Sequence, residues 1–249
     1  MNQKNKRGGE KKTFDALADT YDEELQMLLN VKNTEKFAEY KIQLIKYLIS
    51  NTSPLKNILD FGCGTGRSLC YLKDYFFNNE YQPRVFGCDV SPESLRIAQS
   101  MLPEGVFFLD DTIESLYKQN CRFDLVLVAC VLHHIEPSQR VEWVHAITDN
   151  LNDGGYIAVF EHNLKNPFTK RIVYSPNNPV DNPDYMLTQK ELVRLLLDSD
   201  PRLRVYWKGY TLFSPIRKEC ITKLETNLRF LPLGAQHCVI VKADKKNEK

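Results

Sequence analysis

Residues 58–68 read Ile-Leu-Asp-Phe-Gly-Cys-Gly-Thr-Gly-Arg-Ser, and this stretch decides the fold. An apolar run ends at Asp60, three glycines follow at alternate positions, and an amphipathic stretch covers residues 68–77. This order predicts a strand, a tight turn and a helix, the unit with which an open α/β sheet binds nucleotide-like ligands. Glycine suits such a turn because a side chain would block the approach of a ligand to the backbone, and because glycine tolerates positive φ angles.

The spacing of the glycines distinguishes between two kinds of ligand. A dinucleotide fingerprint, G-x-G-x-x-G, places its last glycine three residues after the second. Here Gly66 follows Gly64 by two residues, so that the pattern from Asp60 is D-x-G-x-G-x-G. A pyrophosphate favours the amide donors of a helix N-terminus, whereas an acidic residue just ahead of the turn suits a ligand with a cationic head.

Strands and helices alternate along most of the chain after this turn. Strict alternation predicts a doubly wound, mainly parallel α/β sheet with right-handed crossovers. The predicted strands are 57–60, 84–89, 105–109, 123–130, 156–161, 204–213 and 236–243, and the predicted helices after the first are 92–101, 137–151 and 188–197.

Two segments stand apart from this alternation. Residues 1–53 are predicted to be an N-terminal tail and helical lid, because apolar residues recur there at helical spacing. Residues 54–249 then form the doubly wound domain, in which 163–187 is predicted to be an irregular cap loop with four prolines. Long irregular loops in compact domains are usually functional or disordered.

Composition and charge exclude several classes of protein. The 249 residues carry 33 Lys and Arg against 32 Asp and Glu, which gives no electrostatic footprint for nucleic acid. No apolar stretch approaches the length of about 20 residues that a membrane span needs, and the polar N-terminus lacks a signal-peptide pattern. The seven cysteines form no C-x-x-C pair and suit a reducing compartment. We therefore expect a cytoplasmic protein without a membrane span or a nucleic-acid partner.

Three acidic residues end or follow successive predicted strands. Asp60 ends the first strand, Asp89 the second, and Asp111 comes just after the third. The carboxyl ends of parallel strands are where such sheets bind ligands, and one carboxylate can accept two ribose hydroxyls. Asp89 is expected to bind a ribose, with helix capping as the alternative. Asp111 is expected near an adenine, although Asp110 competes for this role and a plain turn aspartate is the alternative.

Across residues 55–162 the chain resembles the class I S-adenosylmethionine-dependent methyltransferases. The resemblance is carried by the glycine pattern, by the row of acidic residues, and by Val-Leu-His-His-Ile at 131–135 and Leu-Asn-Asp-Gly-Gly at 151–155. It implies S-adenosylmethionine as cofactor, with S-adenosylhomocysteine as the product. It also implies a seven-stranded sheet in which the last two strands form an antiparallel hairpin.

The resemblance further implies which residues contact the cofactor. Tyr21 in the N-terminal arm is expected to close over it, with a packed surface tyrosine as the alternative. The full expected set is Asp60, Gly62, Cys63, Gly64, Gly66, Asp89, Val90, Asp111, Thr112 and Tyr21.

Two histidines are the expected catalytic residues. The sulfonium activates its own methyl group, so the protein mainly positions donor and acceptor, and a base helps only where the acceptor must lose a proton. His162 is expected to meet the acceptor and His133 to line the cofactor, with structural or solvated histidines as the alternative. Because adjacent histidines usually point in different directions, at most one of His133 and His134 is expected to face the pocket. H-H-x-E is not a recognised ligand spacing, so no metal is expected.

The expected reaction is methyl transfer to a small-molecule acceptor at oxygen. Methyltransferases that act on nucleobase or glutamine amides carry an Asn/Asp-Pro-Pro-aromatic turn after strand four, which residues 129–134 lack. Stretches 161–173 and 231–237 resemble a bacterial subgroup found alongside sugar or lipid modification enzymes. A nicotinamide-dependent oxidoreductase, which the glycine spacing disfavours, and a non-catalytic cofactor-binding regulatory module are the alternatives.

Overall fold

The computed structural model describes residues 14–16, 18, 35–50, 54–77, 81–110, 112–176, 178, 180–212 and 227–244. The strands are β1 (Asn57–Phe61), β2 (Arg84–Asp89), β3 (Val106–Leu109), β4 (Phe123–Ala129), β5 (Leu151–His162), β6 (Leu203–Thr211) and β7 (Gln236–Ala243). The helices are α1 (Glu35–Leu48), α2 (Arg67–Phe76), α3 (Pro92–Met101), α4 (Ile113–Tyr117), α5 (Arg140–Asp149), α6 (Pro167–Val173) and α7 (Gln189–Ser199). Short 3₁₀ turns cover Leu132–His134 and Pro183–Tyr185.

The seven strands form one sheet in the order β3-β2-β1-β4-β5-β7-β6. Strands β1 to β5 pair in parallel, whereas β7 runs antiparallel to both β5 and β6. The expected doubly wound, mainly parallel sheet with a C-terminal antiparallel hairpin is confirmed. The strand order reverses between β1 and β4, and this switch point is where open α/β sheets bind their ligands.

The central strand β4 is buried on both faces, which explains its nearly continuous apolar sequence. Leu125 and Leu127 pack in the cluster that includes apolar residues of α1 and α2. Val126 and Val128 pack in a second cluster around the fully buried Trp143 of α5. Alternate residues of one strand therefore join two separate cores, as the two-residue period of a strand requires.

The predicted helix signals at α3 and α7 are present. Ser91 accepts a hydrogen bond from the Ser94 N–H, and proline occupies the first turn of α3. At α7, Thr188 and Glu191 form the expected reciprocal capping box. These signals are reliable because the side chain that caps the helix lies within a few residues of the group it satisfies.

Residues 163–187, called the cap segment from here on, were predicted to be an irregular loop but include a helix. The cap segment contains α6, and Asn166 caps this helix by accepting hydrogen bonds from the Phe168 and Thr169 N–H groups. Proline at the first helical position completes a helix start signal that is present in the local sequence. The predicted strand 204–213 ends at Thr211 within the described residues, and α4 was not predicted.

Asparagine and threonine side chains of the cap segment donate hydrogen bonds to backbone carbonyls of residues 232–235, just before β7. Asn163 Nδ2 donates to the Pro232 and Gly234 carbonyls at 3.0 and 2.7 Å. Thr169 Oγ1 donates to the Ala235 carbonyl at 3.0 Å. The stretches 161–173 and 231–237, which carry the subgroup resemblance, are therefore in direct contact with each other. None of the helices in the described residues is long and apolar enough to cross a membrane.

Candidate active site

The glycine loop lies between β1 and α2 and is tied to β2. The Gly62 and Cys63 N–H groups both donate to the Cys88 carbonyl, at 2.9 and 2.8 Å. Gly66 has a φ of +87°, and a Cβ there would lie 2.8 Å from the Ala98 Cβ, so α3 packs directly on the loop. Gly64 has a φ of +53°, and a Cβ there would meet nothing within 4 Å. Gly66 thus allows close packing, whereas Gly64 borders open space at the switch point.

Two of the three expected carboxylates surround this loop. Asp89 accepts hydrogen bonds from the Gly64 and Ser91 N–H groups, both at 2.9 Å. Asp60 is 2% exposed. Burial raises the pKa of Asp60 to about 7, an effect that Lys41 opposes and Asp89 reinforces. The structure therefore brings Asp60 and Asp89 to one loop, with Lys41 of α1 as the nearby cation.

The remaining residues of the expected cofactor set fall into three groups. Cys63 and Val90 are buried beside the loop, and Thr112 occupies the N-cap position of α4. Asp110, the alternative to Asp111, is buried, and its N–H donates to the Asp89 carbonyl at 3.1 Å. Two expected residues, Tyr21 and Asp111, lie outside the part of the chain that the structure describes.

A cluster of histidines and acids lies beyond β4 and β5. His133, in the 3₁₀ turn after β4, is fully buried, and its Nδ1 is 2.5 Å from Glu161 Oε2. Glu161 Oε1 accepts a hydrogen bond from the Leu132 N–H at 2.9 Å. His133 Nε2 is 3.0 Å from Asp181 Oδ1. Glu161 therefore fixes the orientation of the ring and directs Nε2 toward Asp181.

Two further imidazoles point toward Asp181. Nε2 of His134 lies 3.9 Å from Asp181 Oδ1, and Nε2 of His162 lies 3.8 Å from Oδ2. The expectation that at most one of His133 and His134 faces the pocket stays a prediction, although both rings lie close to one carboxylate. A tight 3₁₀ turn holds their ring centroids 4.1 Å apart, so both rings reach the same carboxylate. Asn178 Nδ2 donates to Asp181 Oδ2 at 2.8 Å and holds that carboxylate in place.

The charges in the cluster alternate in sign. Burial disfavours a charged His133, but Glu161 and Asp181 outweigh it and raise the pKa of His133 to about 9. Burial lowers the pKa of His162 to about 4, against the opposing effect of Asp181. Burial would raise the pKa values of the carboxyls of Glu161 and Asp181, but His133 holds both below their usual range. The cluster therefore holds a positive charge on His133 between two carboxylates.

The glycine loop and the cluster adjoin each other. A Cβ at Gly62 would lie 2.5 Å from Val131 Cγ2, and Val131 immediately precedes the turn that carries His133. The expected cofactor residues and the expected catalytic residues thus lie at neighbouring strand ends, on either side of the switch point. This adjacency is what a site that joins two substrates requires.

Two residues of this region were missed from the sequence. Asp181 comes from the cap segment, and no local pattern connects it with histidines that lie 19 and 48 positions away in the sequence. Lys41 lies on α1, where its Nζ is 5.8 Å from the centroid of the Phe160 ring. Its position on the otherwise apolar face of a predicted helix could have indicated from the sequence that this lysine has a functional role.

Comparisons with known proteins agree with this geometry. A family model described as a methyltransferase domain matches residues 58–155. An uncharacterized methyltransferase of Synechocystis is 27% identical over 133 residues, which cover 53% of this chain and 57% of that protein. The chain thus spans less than two thirds of this curated relative.

Two solved structures have the same fold over nearly their whole length. The plantazolicin methyltransferase BpumL, in complex with a triazolic desmethylplantazolicin analogue and S-adenosylhomocysteine, has a TM-score of 0.65 at 18% identity, covering 95% of this chain and 98% of that chain. The N-methyltransferase NodS of Bradyrhizobium japonicum WM9, in complex with S-adenosylhomocysteine, has a TM-score of 0.62 at 13% identity, covering 94% and 98%.

Proposed function

We propose that this chain, which belongs to the class I S-adenosylmethionine-dependent methyltransferases, transfers a methyl group to an oxygen atom of a small-molecule acceptor. When bound, S-adenosylmethionine supplies the methyl group: its carbon–sulfur bond breaks as the acceptor oxygen–carbon bond forms, and S-adenosylhomocysteine leaves. The protein has to bind both partners, align them and assist the loss of the acceptor proton.

One observation carries the proposed donor site. Asp89 accepts a hydrogen bond from Gly64, inside a D-x-G-x-G-x-G loop at the point where the strand order reverses. The open space beside Gly64 allows a ligand to approach the backbone. The carboxylate of Asp60 suits the cationic amino-acid end of such a ligand, because it would pair with that charge in a buried site. The carboxylate of Asp89 can accept hydrogen bonds from the two ribose hydroxyls.

The other expected cofactor residues complete the proposed donor site. Cys63 and Val90 would line it as small apolar walls, and Thr112 would lie near the adenine. The proposal also assigns Asp111 to the adenine and Tyr21 to a lid, on the resemblance to the family. Lys41, which is close enough to Asp60 to affect its pKa, is proposed to bind the carboxylate of the amino-acid end of the cofactor.

The histidine cluster supports an oxygen acceptor. Attack by a hydroxyl is accompanied by loss of its proton, so an alcohol or phenol gains more from an activating group than a neutral amine does. The His162 side chain is 25% exposed and can be reached by a ligand, whereas His133 is held behind it. We therefore assign the activation of the acceptor hydroxyl to the cluster that contains His162 and His133.

Calorimetry separates this proposal from its main alternative. S-adenosylhomocysteine is expected to bind with a stoichiometry of one, and a reduced nicotinamide dinucleotide is expected not to bind. The opposite pattern would overturn the proposal. The acceptor class is tested by incubating the protein with methyl-labelled S-adenosylmethionine and separated cell fractions. Label is expected in small molecules as base-stable ethers or base-labile esters, and label only in RNA or protein would contradict the assignment.

A further inference from the structure

We propose that His133, His162 and Asp181 bind a divalent cation of the zinc class, which activates the acceptor hydroxyl. The proposal rests on the methyl transfer described above and specifies how the cluster serves it. The three residues come from the turn after β4, the end of β5 and the cap segment. Their potential ligand atoms all lie within 4.8 Å of one another.

The spacing of these atoms suits a common metal ion. Nitrogen and oxygen ligands lie about 2.0–2.2 Å from zinc, so two ligands of one tetrahedral ion are roughly 3.3–3.6 Å apart. His133 Nε2 and Asp181 Oδ1 are 3.0 Å apart, and His162 Nε2 and Asp181 Oδ2 are 3.8 Å apart. The two histidines face different oxygens of Asp181, and one ligand atom from each of the three residues lies within 4.8 Å of the others. A rotation of the carboxylate that presents one oxygen to both imidazoles, together with a closer approach of the two rings, would place all three around one ion.

A second layer of hydrogen bonds orients the ligands as metal sites require. In metal sites, a ligating histidine commonly donates its other ring N–H to a carboxylate. Glu161 occupies that position for His133, fully buried and held in turn by the Leu132 N–H. Asn178 Nδ2 donates a hydrogen bond to Asp181 Oδ2 and so orients the carboxylate ligand. The cluster is thus built in two layers, which distinguishes it from a chance grouping of polar residues.

The ligand types select the class of ion. Imidazole nitrogen favours zinc and neighbouring transition metals, whereas magnesium and calcium prefer oxygen ligands. Three protein ligands leave at least one coordination position open, as in catalytic zinc sites. Because His162 is the most exposed of the three, that position is expected to face the proposed acceptor site.

The chemistry of the site follows from the charge of the ion. The ion would be bound by the unprotonated Nε2 atoms of the two histidines, and its charge would balance those of Glu161 and Asp181. A hydroxyl bound at the open position loses its proton to water more easily, because the ion stabilises the resulting oxyanion. The site would therefore generate the nucleophile without a separate base.

Metal binding is tested directly on untagged protein. A chelator first removes any bound metal, and the chelator itself is then removed. Calorimetric titration with Zn²⁺ is expected to show one site. Titration with Co²⁺ is expected to produce visible d–d absorption without a thiolate charge-transfer band. Asp181→Asn and His162→Gln are each expected to weaken Zn²⁺ binding by at least tenfold, and Glu161→Gln by about 10–100-fold.

A matched control comes from another histidine–carboxylate pair. His145 Nδ1 lies 3.1 Å from Asp149 Oδ2, on an exposed face of α5. His145→Gln is expected to leave Zn²⁺ affinity unchanged, whereas equal loss in this variant and in His162→Gln would overturn the proposal. Absence of Zn²⁺ binding, or a Co²⁺ spectrum dominated by thiolate, would also overturn it.

Titration with S-adenosylhomocysteine on the same samples separates the two proposals. Binding of S-adenosylhomocysteine without binding of Zn²⁺ would reject the metal site and leave the methyltransferase function standing. Binding of Zn²⁺ without S-adenosylhomocysteine would reject the proposed function instead.

Discussion

The two halves of the candidate site are built in different ways. The donor half, formed by the ends of β1 and β2, is assembled from neighbouring stretches of sequence, and its contacts are mostly backbone hydrogen bonds to Asp89 and Cys88. The acceptor half joins β4, β5 and the cap segment, and its contacts are between side chains far apart in the sequence. Backbone geometry defines the first half, and side-chain identity defines the second.

This difference matches two separate tasks: binding a cofactor that many relatives share, and binding an acceptor that can differ between them. A backbone cradle depends on glycines and on one carboxylate, so it tolerates change elsewhere and can bind the same cofactor in many relatives. A side-chain cluster that depends on a cap segment can vary with the acceptor. The following predictions test whether the two halves are as separate as this comparison holds.

The largest effect is expected at the packed glycine of the donor half. Gly66→Ala strains a φ of +87° and places a Cβ 2.8 Å from the Ala98 Cβ. The free energy of unfolding should fall by about 2–5 kcal/mol, combining the left-handed strain with overpacking. Gly154→Ala is the control, since its φ is +80° but a Cβ there meets nothing within 4 Å. It should cost only about 1–2 kcal/mol in urea denaturation, and equal losses would contradict the packing role of Gly66.

The second prediction concerns the carboxylate of the donor loop. Asp89→Ala should weaken S-adenosylhomocysteine binding by about 1–3 kcal/mol, because hydrogen bonds to a charged group are lost. Asp124→Ala is the matched control. Its Oδ2 also accepts backbone N–H groups, from Lys56 and Asn57, but at the N-terminal ends of β1 and β4, away from the donor loop. Calorimetry should show an unchanged affinity for that variant. If Asp89→Ala binds as tightly as the wild type, another carboxylate serves the cofactor.

The third prediction uses the pH dependence of donor binding. Burial raises the pKa of Asp60 to about 7, and a cationic ligand should lower it again. Binding of S-adenosylmethionine should then release a proton below pH 7 and weaken by roughly tenfold between pH 8 and pH 6. Asp60→Asn should remove this dependence. A wild-type affinity that stays constant over the same range, measured by calorimetry in two buffers, would contradict the coupling.

Asp60 also affects the stability of the ligand-free protein. The folded carboxyl keeps its proton up to about pH 7, whereas the unfolded one loses it near its ordinary pKa of 3.8. The folded state binds more protons in this window, so stability should decrease as pH rises through it.

The smallest effect on donor binding is expected from the acceptor half. Arg140 donates from Nε to the Ile135 carbonyl at 2.9 Å and from Nη2 to the Tyr185 carbonyl, which ties the turn after β4 to the cap segment. Arg140→Lys cannot make both of these hydrogen bonds and should lower the free energy of unfolding by about 1–3 kcal/mol. Affinity for S-adenosylhomocysteine should stay within about twofold, because these hydrogen bonds of Arg140 join parts of the acceptor half and do not involve the donor loop. A large loss of affinity would show that the halves are coupled.

Features that depend on local sequence were predicted well, and features that depend on tertiary contacts were not. Strand β2 and helix α3 have the bounds that the sequence predicted, because β-propensity, Ser91 and Pro92 act locally. Strand β5 begins five residues before its predicted start at residue 156, since Leu151 pairs with Phe123 across the sheet. Pairing between strands depends on tertiary contacts that no local pattern records.

The same reasoning explains what was missed in the site. Asp60, Gly64 and Asp89 could be found because their spacing follows from one strand–turn–helix unit and the next strand. Asp181 could not, because only the folded cap segment brings it to His133. Expecting no metal from the local spacing of histidines was limited in the same way, since the potential ligands come from three separate segments.

The backbone beside Gly64 is proposed to form the donor site. Calorimetric titration of S-adenosylhomocysteine into Gly64→Ala and Gly154→Ala tests it most directly, because both glycines have positive φ and both added Cβ atoms would meet open space. Gly64→Ala should weaken binding by about 1–3 kcal/mol through steric conflict with the ligand, while Gly154→Ala should bind as the wild type does. Equal affinities in the two variants would show that the backbone beside Gly64 does not form the donor site.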